Sequence, residues 1–182
     1  MDAGYRIVGD SGAGDLTVRG VCRATGLSER YFYESFPDRE SLLVAVHELA
    51  EEQARETILA ALTSAESRDA AIRAVVGAFV DFFEEDPGRA RILLQEPLVQ
   101  PALAQAWRRS LTTFAAILGG LVGPDGDGAE SAEDRLTSAG LAGALTGMYL
   151  AHRGGAVDTD RDQIVARGVE LVERSAAASG RH

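Results

Sequence analysis

Residues 25–43 read TGLSERYFYESFPDRESLL. The stretch crowds Tyr31, Phe32, Tyr33 and Phe36 into six positions, breaks at Pro37 and then resumes a helical pattern. A helix so short is not stable alone. Its aromatic surface must be either core between longer helices or a reading surface that they hold out.

The flanking residues decide between these. Thr17 is placed to cap a helix over VRGVCRA, with Val18, Val21 and Cys22 among its apolar positions. Gly26 permits a tight turn. Ser28 is placed to cap the second helix, ERYFYES, which stops before Pro37 because a residue preceding proline avoids helical angles. Two helices of about eight residues joined through a glycine turn form a helix-turn-helix. Val21, Cys22, Leu27, Phe32 and Phe36 are expected to form its small core. That leaves Thr17, Arg19, Ser28, Glu29, Arg30, Tyr31 and Tyr33 for the outer face. Hydroxyls and arginines are what phosphate and base-edge contacts require.

Residues 16–46 resemble the DNA-binding segment of the TetR family of bacterial transcriptional regulators. The family pattern is a capping Thr, an Ile/Val-Ala pair, a small residue and Gly, then Ser, aromatic-Tyr, Phe, Pro, a basic residue and Leu-Leu. Here it is carried by Thr17, Val21-Cys22, Thr25-Gly26, Ser28, Phe32-Tyr33, Phe36, Pro37, Arg39 and Leu42-Leu43. Cys22 replaces the usual Ala, and Ser35 stands where His is common. DAGYRIVGDSGAG resembles only the rear of the family's first helix and its stop at Gly12. The expectation is that the natural product begins upstream of Met1, with a basic arm.

The rest of the chain reads as helices. Asp38 caps one that runs to about residue 64, carrying Leu42, Leu43, Val46, Leu49 and Ala50 on one face and expected to be the only covalent link from the front to the rear. Ile72, Val75, Val76, Phe79, Phe82 and Phe83 form a broad apolar stripe. A short helix over ARILLQEPLV is expected to break at Pro97, followed by helices near 102–122, 132–152 and 159–177. The fold class is therefore all-α, about nine helices. Residues 1–46 form the helix-turn-helix head, and residues 47–182 a larger effector-binding and dimerisation domain.

Composition limits the function. No apolar run approaches the roughly 18 residues of a membrane span, and no signal peptide is visible. The lone Cys22 rules out an internal disulfide, so a cytoplasmic protein is expected. All eighteen basic residues are Arg, in keeping with GC-rich codon usage, and the net charge is −10. Residues 1–47 hold five Arg and seven acids, so the head is not basic. His47, His152 and His182 are scattered and suggest no metal site. DGDG at 125–128 starts like a calcium loop but has Leu136 where the bidentate Glu belongs, so it reads as a turn. Neither a cofactor nor an enzymatic activity is expected.

The family resemblance implies further sites. The rear domain should hold a small-molecule pocket, with Phe79, Phe82, Phe83, Trp107, Phe114, Tyr149 and His152 as lining candidates and Gln105, Arg108 and Thr113 as polar partners. In SAGLAGALTGMYLA, Ala139, Gly143 and Gly147 recur every four residues, and so many glycines call for a close helix approach. With Ile164, Gly168, Leu171 and Val172 of the last helix they are candidates for a homodimer interface, two helices from each subunit making a four-helix bundle. Arg30 and Tyr31 are the candidates for base-proximal contact. Thr17, Arg19, Ser28, Tyr33 and Arg39 complete the DNA-facing set. The partners implied are a double-stranded DNA operator, an unidentified effector and a second copy of the chain. The alternative is a ligand-binding helical dimer whose head does not bind DNA.

Overall fold

The structure, a computed structural model, describes residues 1–123 and 131–179. The Gly- and Asp-rich segment 124–130, with the DGDG stretch read from sequence as a turn, and His182 lie outside the described residues. Among those described there is no strand and there are ten α-helical segments, or nine helices when the two joined by a π turn are counted as one. They are α1 (Asp2–Ser11), α2 (Val18–Thr25), α3 (Glu29–Ser35), α4 (Arg39–Thr63), α5 (Arg68–Glu85), α6 (Pro87–Ala90), α7 (Glu96–Val99), α8 (Ala104–Val122), α9 (Ala132–Arg153) and α10 (Arg161–Ser179). A π turn over Arg91–Gln95 joins α6 to α7, so that these two make one rod. None of the helices is long and apolar enough to cross a membrane.

The chain does not break at Pro97 as the sequence pattern indicates. The N–H of Glu96 bonds to the carbonyl of Arg91, the wider repeat of a π turn. Pro97 thereby falls in the opening turn of α7, where a missing N–H costs nothing.

By packing, the chain forms two compact units, Met1–Ala54 with Phe83–Arg108, and Arg55–Phe82 with Arg109–His182. The chain passes between them three times, within α4, α5 and α8.

In the first unit Val8, Leu16, Leu42, Leu43 and Val46 are buried to within 2%. Each such aliphatic side chain contributes about 1.5–3 kcal/mol when removed from water. Ile92, Leu93, Leu94 and Leu103 add to this core from the returning segment. Polar contacts fix the turn after α1. Arg91 donates to the carbonyls of Gly9 and Asp10 at the α1 terminus, a cation at the negative end of a helix dipole. The buried Glu96 carboxylate accepts from the N–H of Ala13 at 3.0 Å. Gly12 sits between them at φ 92°, where a side chain would meet Glu96 Oε1 at 2.9 Å.

In the second unit Ile72, Val75, Val76, Leu118, Leu141, Leu145, Tyr149, Ile164 and Val172 supply the buried core. Arg161 grips both carboxylate oxygens of Asp81 at 2.6 and 2.7 Å, fastening the start of α10 to α5. Arg68 donates to the carbonyls of Leu121 and Gly123 at the end of α8. A reciprocal capping box of Ser131 and Asp134 opens α9.

Candidate nucleic-acid interface

Thr17 caps α2 as its sequence position implies: its Oγ1 accepts from the N–H of Gly20 at 3.0 Å. The hydroxyl proton stays available for donation. Gly26 ends α2 in the left-handed region at φ 71°, and Thr25 Oγ1 fastens the turn by donating to the Val21 carbonyl at 2.8 Å. Ser28 occupies the cap position of α3 but its side chain makes no capping bond, so its exposed hydroxyl is not spent within the fold.

Phe32 anchors α3. It is 5% exposed, packs edge-on with Tyr33 at 5.4 Å and lies 5.9 Å from Phe36. Val21, Cys22 and Phe36 are half-buried. Leu27, expected in this small core, is 54% exposed instead, because the left-handed Gly26 turns the chain outward just before it. The aromatic crowding thus has two uses. One ring fastens the helix, while Tyr31 and Tyr33, 59% and 54% exposed, face solvent.

Beside them stand Arg19 on α2 and Arg30 on α3, both almost fully exposed. Each pairs with a carboxylate of α3: Arg19 with Glu29 at 3.5 Å and Arg30 with Glu34 at 3.0 Å. Exposed pairs of this kind hold a guanidinium loosely, and their remaining N–H groups face solvent. Arg39 differs. Its guanidinium donates to the carbonyls of Leu16 and Ala13, so part of its donor set is engaged within the fold. Asp38, just before it, accepts from the Ser41 N–H at 2.7 Å, which holds its carboxyl below the usual carboxylate range.

Thr17, Arg19, Ser28, Arg30, Tyr31 and Tyr33 therefore lie exposed on two consecutive short helices of the first unit and at their N-cap positions. The same unit contains a polar recess of about 250 Å³, lined among others by Asp2, Tyr5, Gln53, Asp86 and Arg89. Burial, and then the charge of Asp86, push the Tyr5 hydroxyl's pKa up. No sequence motif announced this recess, since its walls come from three separate segments.

The expected effector residues divide. In the second unit Phe79 stacks on Phe114 with centroids 5.1 Å apart, Tyr149 meets Phe79 edge-on, and His152 lies 6.3 Å from Tyr149. His152 Nδ1 is 3.1 Å from Thr159 Oγ1. Phe82 is buried there too, whereas Phe83 and Trp107 belong to the first unit. Gln105, Arg108 and Thr113 are exposed.

The expected dimer residues also divide. Gly143 and Gly147 are exposed, with open space where a side chain would stand, and Ala139 is half-buried. On α10 Ile164, Gly168 and Val172 are buried by their own chain. A side chain on Gly168 would strike Val76 at 2.8 Å and Leu145 at 2.9 Å. Gly168 thus sits where α10 meets α5 and α9, and all three positions are covered within their own chain. Leu171 is half-buried.

No family model matches the sequence, and no curated protein matches it significantly. Solved structures do. The FadR fatty acid degradation regulator from Bacillus halodurans superposes with a TM-score of 0.77 at 17% identity, over 94% of this chain and 90% of that one. FadR from Bacillus subtilis, in complex with stearoyl-CoA, gives 0.75 at 19% identity over 100% and 97%. A bacterial regulatory protein in the TetR family from Rhodococcus RHA1 gives 0.64 at 22% identity over 96% and 93%.

Proposed function

We propose, from the premise that this chain has the fold of the TetR-family transcriptional regulators, that it is a DNA-binding regulator without enzymatic activity, a repressor released from its operator by a small-molecule effector. The observation that carries the reading is the exposed set of Arg30, Tyr31 and Tyr33 on α3, beside Thr17 and Arg19 of α2. In a helix-turn-helix the second helix enters the major groove while the first crosses the backbone. Arg30 and Tyr31 then reach base edges, and Thr17, Arg19, Ser28 and Tyr33 hold phosphates.

Residues 1–46 serve DNA binding in this reading, and residues 47–182 serve effector binding and dimerisation. The open glycine edge of α9, Gly143 with Gly147, receives a second copy of the chain. A twofold dimer reads a pseudo-palindrome whose half-sites are spaced by turns of roughly 34–36 Å. The effector cavity draws on the aromatic group of Phe79, Phe114 and Tyr149. The effector favours an arrangement of heads that no longer fits DNA, a shift between two populations. The stearoyl-CoA bound to the Bacillus subtilis relative makes long-chain acyl thioesters the first compounds to try.

A second reading, a ligand-binding dimer whose head does not bind DNA, is favoured by Glu29 and Glu34, which pair with Arg19 and Arg30. Titration of the full chain against genomic DNA fragments at low and moderate salt separates the two. A regulator gives saturable binding whose log–log salt slope grows by about −0.9 for each phosphate neutralised. Absence of binding at low salt leaves the second reading.

A further inference from the structure

We propose that Glu29 is a specificity-determining residue, accepting a hydrogen bond from the N4 amine of one cytosine in each operator half-site. The proposal rests on the DNA-binding reading above and deepens it.

The face made by α2 and α3 is an unusual one to offer a polyanion. Between the exposed Tyr31 and Tyr33 and the arginines it carries two carboxylates, Glu29 and Glu34, both about half exposed. A carboxylate is an acceptor only. Against phosphates it is repelled, so it gains only where DNA presents a donor. In the major groove the donors are the N4 amine of cytosine and the N6 amine of adenine. Adenine sets its N7 acceptor beside that amine, which faces the second carboxylate oxygen with a lone pair. Cytosine sets no acceptor of its own there.

The two glutamates are not equivalent. Base edges are met by the opening turn of the second helix, and Glu29 is its first residue, whereas Glu34 lies in the last turn. Glu34 is tied to Arg30 one turn back on the same helix. Glu29 is met from the other helix: Arg19 of α2 lies 3.5 Å from its Oε1. Because α2 crosses the backbone, Arg19 bridges between a phosphate and that oxygen, and Oε2 is left to accept from the base. The arginine also offsets the repulsion that would otherwise keep Glu29 out of the groove.

The test is selection of double-stranded DNA from a randomised pool by the full chain at low salt, repeated with Glu29→Gln, Glu29→Ala and Glu34→Ala. Circular dichroism checks that each variant is folded. The wild-type chain should enrich a symmetric motif containing a cytosine column, and replacing that C·G pair by T·A should weaken binding about tenfold per half-site. Glu29→Gln should turn the column to adenine, whose N6 and N7 suit an amide. Glu29→Ala should flatten it while random DNA is bound as well or better. Glu34→Ala should leave it in place. A motif whose columns ignore Glu29, or follow Glu34, overturns the proposal and leaves the DNA-binding reading intact. Failure to recover any DNA overturns both.

Discussion

The Glu96 carboxylate accepts the Ala13 N–H at 3.0 Å across 83 residues of sequence, while Gly12 leaves room for its Oε1. The bond satisfies a buried donor at the start of the turn between α1 and α2. Glu96→Ala leaves that N–H buried without an acceptor and should cost about 1–3 kcal/mol. Gly12→Ala should cost a similar amount, because φ is 92° and a Cβ meets Glu96 Oε1. Urea unfolding checks both. A midpoint unchanged in either variant would show that the turn holds by other means.

Two glycines on neighbouring helices should behave in opposite ways. Gly168→Leu drives a side chain into Val76 and Leu145, and overpacking of a core costs typically about 1–3 kcal/mol or more. It should lower the unfolding midpoint. A Cβ on Gly143 meets nothing within 4 Å in its own chain, so the fold should survive Gly143→Leu and only association should change, as read by sedimentation. Unchanged sedimentation of a folded Gly143→Leu would remove α9 from the dimer interface.

Tyr33 presents a 54% exposed ring and a free-facing hydroxyl beside Phe32. As a phosphate donor it carries no sequence information. Tyr33→Phe should therefore weaken operator and random DNA by the same factor. Lost discrimination with retained overall affinity would show that it reads bases.

Arg39→Lys should not restore what Arg39→Ala loses. The guanidinium spans the carbonyls of Leu16 and Ala13 together, and an ammonium has no such fork. Both variants should unfold at lower urea concentration. If instead stability holds and only the salt slope of DNA binding becomes shallower, Arg39 is a phosphate contact.

Acid should loosen the starts of α4 and α9. Backbone and hydroxyl hydrogen bonds from Ser41 hold the Asp38 carboxyl below its ordinary value, and those from Ser131 do the same for Asp134. A folded-state pKa below the unfolded one gives stability present above the ordinary carboxylate range and lost as pH falls through and beneath it. Urea midpoints should drop on acidification from about pH 5 to below about pH 3.8, the ordinary value. Asp38→Asn and Asp134→Asn keep an acceptor that does not titrate, so their midpoints should fall less steeply. Equal slopes for variants and parent would refute the assignment.

Much of the fold lies open in local sequence because its determinants are local. Thr17, Gly26 and Pro37 set the bounds of α2 and α3 through capping, a left-handed turn and a proline restriction, none of which needs a distant partner. The apolar period of Ile72, Val75, Val76 and Phe79 likewise fixes the buried face of α5. Pro97 misleads because a π turn is a choice of hydrogen-bond register, and the bond from Glu96 to Arg91 leaves no mark in residue type.

What tertiary structure alone decides is which of two chemically equal residues is spent on the fold. Arg30 and Arg39 look alike in sequence, yet one is exposed on α3 and the other is latched to carbonyls 23 and 26 residues back. Gly143 and Gly168 are both small residues in helices, but Val76 and Leu145 close over only the second. Such assignments depend on contacts between segments remote in the chain. Periodicity supplies the helical face a residue occupies, and only packing supplies the partner that face meets.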